Sequence, residues 1–580
     1  MLINIKPICK AALLVSIVFL VAACESTPPP SKAASKLAGH AVATAHPLAT
    51  QSALDILDRG GNAFDAAIAA SAVLAVVEPS GSGIGGGGFW LLHRESDGMQ
   101  VMVDGREMAP MAADKDMYLD DKRNVINGAS LNGPLAAAIP GQIAALVHMN
   151  ERYGRLPLKQ NLQAAIDYAA NGFVVTKHIK RHITFRSKVF NDEAKRLFLV
   201  DGKVPELGHI IVQPELAQTL QLVARKGRAG FYEGNVAKKM VQSVRENGGI
   251  WTLEDLKNYQ VVEREPMTFN YRGAKIITAS LPSSGGVVLG QMLQTIELKQ
   301  EEAKKQQNTA KPGLAVDRSR QAPSMHLVVE AMRRAYRDRA IYLGDPDFVK
   351  VDQKELLSKT YLQGFSGAIG ENATKSVDLP IETKLGVDTT HFSIIDRDGN
   401  RVAATLSINY PFGSGHMAKG TGVFLNNEMD DFVSKVGAPN VYGLVGGKAN
   451  QIAPRKRPLS SMTPTFVETE EGAIVIGTPG GSRIISMVGL AIINLLDRKM
   501  DLQSAVNAPR FHHQYLPDTV QLEDGANYSE IKDMQARGHQ FKRLKRRYGN
   551  MHAVSWLKKD GFVYLDAASD ARGEGQASVR

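Results

Sequence analysis

The chain has 580 residues, of which 44% are hydrophobic, a formal charge of +10 and only two cysteines. That length and apolar fraction suit a globular protein with a sizeable interior and exceed what one small core holds. The positive charge does not make a nucleic-acid surface, because acidic residues are interspersed throughout and no Lys/Arg stripe alternates with aromatics. The basic run "FKRLKRRYG", around Lys542 to Arg547, stands apart. It reads as a solvated basic face, with contact to an acidic membrane surface as the other reading.

At the N-terminus, Lys6 and Lys10 precede an apolar run from Ala11 to Ala23 that is too short and one-sided for a spanning helix and reads as a secretion signal, 1–23. It ends in "LVAAC", which resembles the lipobox of bacterial lipoproteins and makes Cys24 a candidate lipid anchor; an ordinary signal cut near Ala23 is the alternative. Cys9 and Cys24 both lie in this segment, so the folded body has no disulfide and depends on its core. The stretch 24–37 is polar and Pro-rich and reads as a tether.

From His46 an apolar helix stops at Gly60-Gly61, and an Ala-rich helix, apolar nearly all round and therefore buried, follows. The loop "GIGGGGFW" then leads into a strand; no GK[ST] follows it, so it reads as a close-packed turn rather than a phosphate loop. Alternating helices and short strands include a helix from Met325 to Leu343, stopped by "GDPDF". Before it, "KQEEAKKQQNTAKPGLAVDRSRQAPS" is polar and Pro-interrupted and reads as a surface insertion. After Pro380 the strands "HFSII", "RVAATLSIN", "GVFLNN" and "GAIVIGT" appear, interrupted by the helix "SRIISMVGLAIINLLDRKM", and two more strands close the chain. The order implies layered α/β packing.

Residues 385–409 form a predicted hairpin about the turn "DRDGN". Its register sets Thr389 opposite Ser407 and His391 opposite Thr405. Strand alternation then puts Val402, Ala404, Leu406 and Ile408 on one face and Thr405, Ser407 and Asn409 on the other. Such a cross-strand Thr–Ser pair is either a surface feature or a nucleophile with its support. No upstream Ser/His/Asp arrangement supplies a base. A cut before Thr389 would supply one, the residue's own α-amine, with a pKa near 8.

The segments "DTTHFS", "LNNEMDDF", "PNVYGLVGG", "KRPLSSMTPT", "GTPGGSR", "NAPRFHHQ", "LPSSGG" and "GREMAP" together resemble the γ-glutamyltransferase family, from about residue 38 to near the C-terminus. The resemblance implies an αββα sandwich of the N-terminal-nucleophile class and self-cleavage at Asp388–Thr389 into a large subunit, 38–388, and a small catalytic subunit, 389–580. It makes Thr389 the nucleophile, Ser407 its hydroxyl partner (a position often written Thr), and the backbone N–H groups of Gly480 and Gly481 the oxyanion hole. Arg106 matches the arginine that binds the substrate α-carboxylate, joined by Ser460 and Ser461. Asn409, Glu428 and Asp431 match the α-ammonium site, and Tyr442 stands at the start of a lid loop, "LVGGKAN".

The implied substrates are glutathione and other γ-glutamyl compounds, with water or acceptor amino acids and peptides resolving a γ-glutamyl ester; no metal or organic cofactor is called for. The implied place is the bacterial periplasm or cell envelope. The alternatives are a glutaryl or cephalosporin acylase of the same fold, which generally lacks the lid, and a non-catalytic envelope lipoprotein. His512 and His513, adjacent in a strand, point to opposite faces and share no metal; His391 reads as a satisfied structural histidine, and "LPSSGG" as a packing turn.

Overall fold

The computed structural model describes residues 37–310, 322–376 and 389–580. The expected signal, the tether apart from Leu37, and Asp388 lie outside them.

Among the described residues two antiparallel sheets carry the architecture. Their strands are β1 (Ala41–Thr44), β2 (Gly87–Arg94), β3 (Met99–Gly105), β4 (Val262–Arg264), β5 (Met267–Tyr271), β6 (Ala274–Thr278), β7 (Thr390–Ile395), β8 (Arg401–Ser407), β9 (Thr465–Thr469), β10 (Gly472–Gly477), β11 (His552–Lys559), β12 (Phe562–Ser569) and β13 (Gln576–Val579). Seven form one sheet in the order β13-β1-β7-β8-β2-β3-β4, and six form the other in the order β12-β11-β10-β9-β6-β5. Each sheet takes strands from both sides of Thr389. The two predicted subunits are therefore woven together rather than separate domains, and a cut between them would leave both sheets intact.

Strand alternation divides the interior. In β2, Trp90 and Leu92 face the helices α1 (Pro47–Asp58) and α2 (Ala63–Val77), while Phe89 and Leu91 meet Ile276, Phe466 and Ile476 of the second sheet. The far side of that sheet is covered by α4 (Gly285–Ala310), α5 (Met325–Tyr342) and α6 (Ile484–Leu496), which follow α3 (Lys177–Arg186) in the chain. The result is helix, sheet, sheet, helix, as the resemblance implied. All of α2 is buried, as its sequence requires, and a capping box holds its start: Asn62 accepts from the Phe64 and Asp65 N–H groups, and Asp65 accepts from the Asn62 N–H.

Three expectations change. The supposed insertion begins as helix, because α4 runs to Ala310; its Glu, Lys, Gln and Ala residues are strong helix formers and the first proline, Pro312, lies beyond. "GVFLNN" contributes only a short strand, Val423–Phe424. Among the described residues six strands follow α6 instead of two: the short strands Phe511–His512, Val520–Leu522 and Phe541–Arg543, then β11, β12 and β13, the last pairing with β1.

Candidate active site

The β7–β8 hairpin has the predicted register, with Thr405 opposite His391 and Leu406 opposite Thr390. Asp396 fixes the turn: its carboxylate accepts from the Asp398 and Asn400 N–H groups and, at 2.8 Å, from the Ala63 N–H at the start of α2. The polar face is not a surface. Thr405 and Ser407 are buried toward the second sheet, which removes the surface reading of the Thr–Ser pair. His391 is satisfied on both nitrogens, by Thr405 Oγ1 at 2.9 Å and Ser393 Oγ at 3.1 Å, and burial holds its pKa well below the usual value.

At the mouth of the hairpin, Thr389 Oγ1 lies 3.3 Å from Ser407 Oγ. Ser407 Oγ accepts the Asn409 N–H at 2.8 Å, which leaves its own proton for Thr389. The adjacent glycine loop is packed rather than anion-binding: a Cβ on Gly86 would sit 2.1 Å from the Ser407 carbonyl oxygen, and one on Gly85 2.0 Å from that of Phe424.

Thr389 and Ser407 open onto a pocket that is also lined by Arg106, Asn409, Asp431, Tyr442, Ser460, Ser461 and Gly481. The Arg106 guanidinium donates to Glu428 Oε2 at 2.7 Å, to Asp431 Oδ2 at 2.5 Å and to the Pro458 carbonyl at 3.2 Å. Burial opposes its charge, but the surrounding carboxylates of Glu428, Asp431 and Glu107 outweigh that and raise its pKa. Burial likewise pushes Glu428 well above the carboxylate range, against the pull of Arg106, and Glu107 up to about 7. Arg106 thus holds two carboxyl groups, Glu428 and Asp431, within hydrogen-bond distance, so a guanidinium and carboxyl groups stand side by side, a site suited to a ligand that brings one positive and one negative group.

The hydroxyls beside it are aimed. Ser460 Oγ accepts the Met462 N–H at 3.1 Å, and Ser461 Oγ accepts from the Arg339 guanidinium at 3.2 Å, so each keeps its proton to donate into the pocket. Opposite, Gly480 (φ +140°) and Gly481 (φ +57°) adopt conformations that suit glycine, and Gly481 begins the turn leading into α6. A helix N-terminus favours negative charge, which is what a tetrahedral oxyanion brings. Tyr442 closes this side: its hydroxyl donates to the Asn409 carbonyl at 2.5 Å, and a Cβ on Gly481 would sit 2.6 Å from its ring.

Of the predicted residues, then, Thr389, Ser407, Arg106, Asn409, Asp431, Tyr442, Ser460, Ser461 and Gly481 share one cavity, while Glu428 and Gly480 stand behind its wall. Two supports, Arg339 and Glu78, were missed in the sequence, and a third, "LPSSGG", was expected only as a packing turn. Arg339, on α5, also donates to Ser284 Oγ at 3.0 Å. Ser283 and Ser284 of "LPSSGG" donate to the carbonyls of Met462 and Ser460, so that motif holds the Ser460–Ser461 loop. Glu78, buried beside β7 with one carboxylate oxygen unpartnered, has its pKa raised to about 7 by burial, with Thr390 opposing and Glu574 adding. Only its place in an apolar stretch before a glycine loop could have marked it. His512 bonds Ser486 and Gln514 whereas His513 bonds Asp518, so their partners are separate.

The profile of the family described as gamma-glutamyltranspeptidase matches residues 49–580. The chain belongs to that family. The glutathione hydrolase proenzyme of Escherichia coli (strain K12) is 39% identical over 583 aligned positions, covering 98% of this chain and 97% of its own. Among solved structures, the cephalosporin acylase from Bacillus halodurans matches with a TM-score of 0.77 at 26% identity, covering 94% of this chain and 96% of its own. The gamma-glutamyltranspeptidase of Helicobacter pylori matches at 0.51 and 37% identity, covering 58% of this chain and 92% of its own. The sandwich is thus the N-terminal-nucleophile hydrolase fold.

Proposed function

We propose that the chain is a γ-glutamyltransferase with glutathione hydrolase activity that matures by cutting its own Asp388–Thr389 bond. Thr389 Oγ attacks the preceding carbonyl carbon, the C–N bond breaks, and the amine leaves with the hydroxyl proton; water then hydrolyses the ester. The backbone of Thr389 supports this step. Its φ of +118° is unfavourable for a β-branched residue, at a cost of about 1–3 kcal/mol, and φ is defined by the very carbonyl carbon that departs. Cutting the bond releases that strain.

In the mature enzyme the freed amine takes the Thr389 proton and Oγ attacks the γ-amide carbonyl. Arg106, Ser460 and Ser461 hold the α-carboxylate, and Asp431 and Asn409, with Glu428 behind them, the α-ammonium. The N–H groups of Gly480 and Gly481 receive the oxyanion. The amine leaves with a proton, and water or an amino acid or peptide amine releases the γ-glutamyl group from its ester. One observation carries the reading: a single pocket is lined both by the Thr389–Ser407 hydroxyl pair and by Arg106, which bridges two carboxyl groups.

The N-terminal signal supports export to the periplasm or envelope, with Cys24 as the candidate lipid anchor. Among the described residues no helix is long and apolar enough to cross a membrane. N-terminal sequencing of the purified protein tests maturation: a fragment beginning at Thr389 is expected from the wild type and a single uncut chain, inactive, from Thr389→Ala. Release of nitroaniline from the γ-glutamyl anilide and not the glutaryl anilide is expected; the reverse preference would establish the acylase reading.

A further inference from the structure

The proposed α-carboxylate and α-ammonium sites lie on separate stretches of chain, Ser460–Ser461 and Glu428–Asp431, and a ligand that carries both groups on one carbon needs them at a fixed spacing. Arg106 touches both stretches, donating to Asp431 Oδ2 and to the Pro458 carbonyl, but its guanidinium also has to receive the ligand. A second contact joins the same two stretches from behind. Asn450, 5% exposed and not part of the pocket wall, donates from Nδ2 to the Asp431 carbonyl at 2.7 Å and accepts the Leu459 N–H on Oδ1 at 3.0 Å. Leu459 directly precedes Ser460.

Only one orientation of the amide makes both bonds, because one neighbour is an acceptor and the other a donor. The asparagine is itself anchored. Its N–H donates to the Gly447 carbonyl at 3.3 Å and its carbonyl accepts the Val433 N–H at 2.9 Å. The buried Lys456 Nζ donates to the carbonyls of Ala449 and Gln451, the residues on either side of it, at 2.7 and 3.0 Å. A side chain fixed at its root and bonded at both ends of its amide holds the two stretches at one distance, since either can move only by breaking a buried hydrogen bond.

We propose that Asn450 is a positioning residue that sets the spacing between the ammonium and carboxylate halves of the γ-glutamyl site, so that a ligand carrying both groups binds far better than one carrying either alone. This rests on the γ-glutamyl reading above. A ligand with one of the two groups needs only its own half and is indifferent to the spacing. A ligand with both must give up one contact when the halves drift apart. Asn450 touches no reacting atom, so the chemical step that follows binding does not depend on it.

The test uses the processed enzyme, with nitroaniline release from γ-glutamyl-p-nitroanilide as the readout and three competitive inhibitors: L-glutamate, glutarate, which lacks the ammonium, and 4-aminobutyrate, which lacks the α-carboxylate. Asn450→Leu keeps the volume and loses both bonds, and Asn450→Ala loses both with less bulk. In either variant the inhibition constant of glutamate is expected to rise about tenfold, the worth of one to two buried hydrogen bonds, while kcat and the constants of glutarate and 4-aminobutyrate stay within about twofold. An equal change for all three inhibitors, or an unchanged glutamate constant, overturns the proposal. So does a chain that stays uncut in both variants, because Asn450 would then hold the fold rather than the spacing. A wild type that binds glutarate as tightly as glutamate, or releases no nitroaniline, refutes the γ-glutamyl reading, and the spacing role with it.

Discussion

Gly481→Ala tests whether the loop proposed to receive the oxyanion is held in shape by Tyr442. The added methyl meets two separate penalties. At φ +57° an L-residue costs about 1 kcal/mol more than glycine. The new Cβ would also lie 2.6 Å from Tyr442 Cε1 and 2.7 Å from Cδ1, well inside contact distance. Tyr442 cannot simply swing away, because its hydroxyl is bonded to the Asn409 carbonyl and its N–H to Asn440 Oδ1. The loop must shift instead, and misplacing an oxyanion donor costs about 3 kcal/mol. Together the two penalties are about 4 kcal/mol, or roughly a thousandfold in kcat.

In a Tyr442→Ala background the clash is gone and only the backbone term remains, so the same glycine substitution should cost about fivefold. The assay is nitroaniline release from the γ-glutamyl anilide by all four members of the cycle, after gel electrophoresis has confirmed processing. The difference between backgrounds, about 3 kcal/mol, is the coupling between Gly481 and Tyr442. An equal loss in both backgrounds would refute the claim that the ring fixes the loop.

Ser407→Ala removes the partner of Thr389 Oγ1 and strands the buried Asn409 N–H, a cost of about 1–3 kcal/mol. Self-cleavage on a gel and kcat should both slow about 10- to 100-fold, with Ser407→Thr restoring them; normal maturation of the alanine variant would count against the assigned role. Arg339→Ala leaves Ser461 without its guanidinium donor, so KM for the γ-glutamyl donor should rise about tenfold while kcat changes little; a fall in kcat alone would contradict this. Glu78 binds its proton more tightly in the folded state, at about 7, than at its ordinary 4.5. The folded state therefore holds more protons across that window, and stability falls as pH rises through it, by about 3 kcal/mol in all. Glu78→Gln should raise the melting temperature at pH 8 and leave it nearly unchanged at pH 5. Equal shifts at both would show that the carboxylate's charge is not the cause.

Local pattern determined much of this protein. Period-two alternation and a turn rich in Asp, Gly and Asn were enough to pair Thr389 with Ser407, because hairpin register depends on residues close in the chain. The all-apolar helix from Ala63 to Val77 was equally legible, since no exposed face is compatible with it. The order of the family's motifs named Arg106, Asp431 and the Ser460–Ser461 loop, but gave no distance between them. Only the tertiary structure decided that the hairpin's polar face lies between two sheets, that Gly481 rests against Tyr442, and that Arg339 and "LPSSGG" hold the serine loop. Those contacts join residues more than a hundred positions apart in several cases. They arise because strands from both sides of Thr389 are interleaved in the same sheets, and no local window of sequence records which distant segment will be laid beside it.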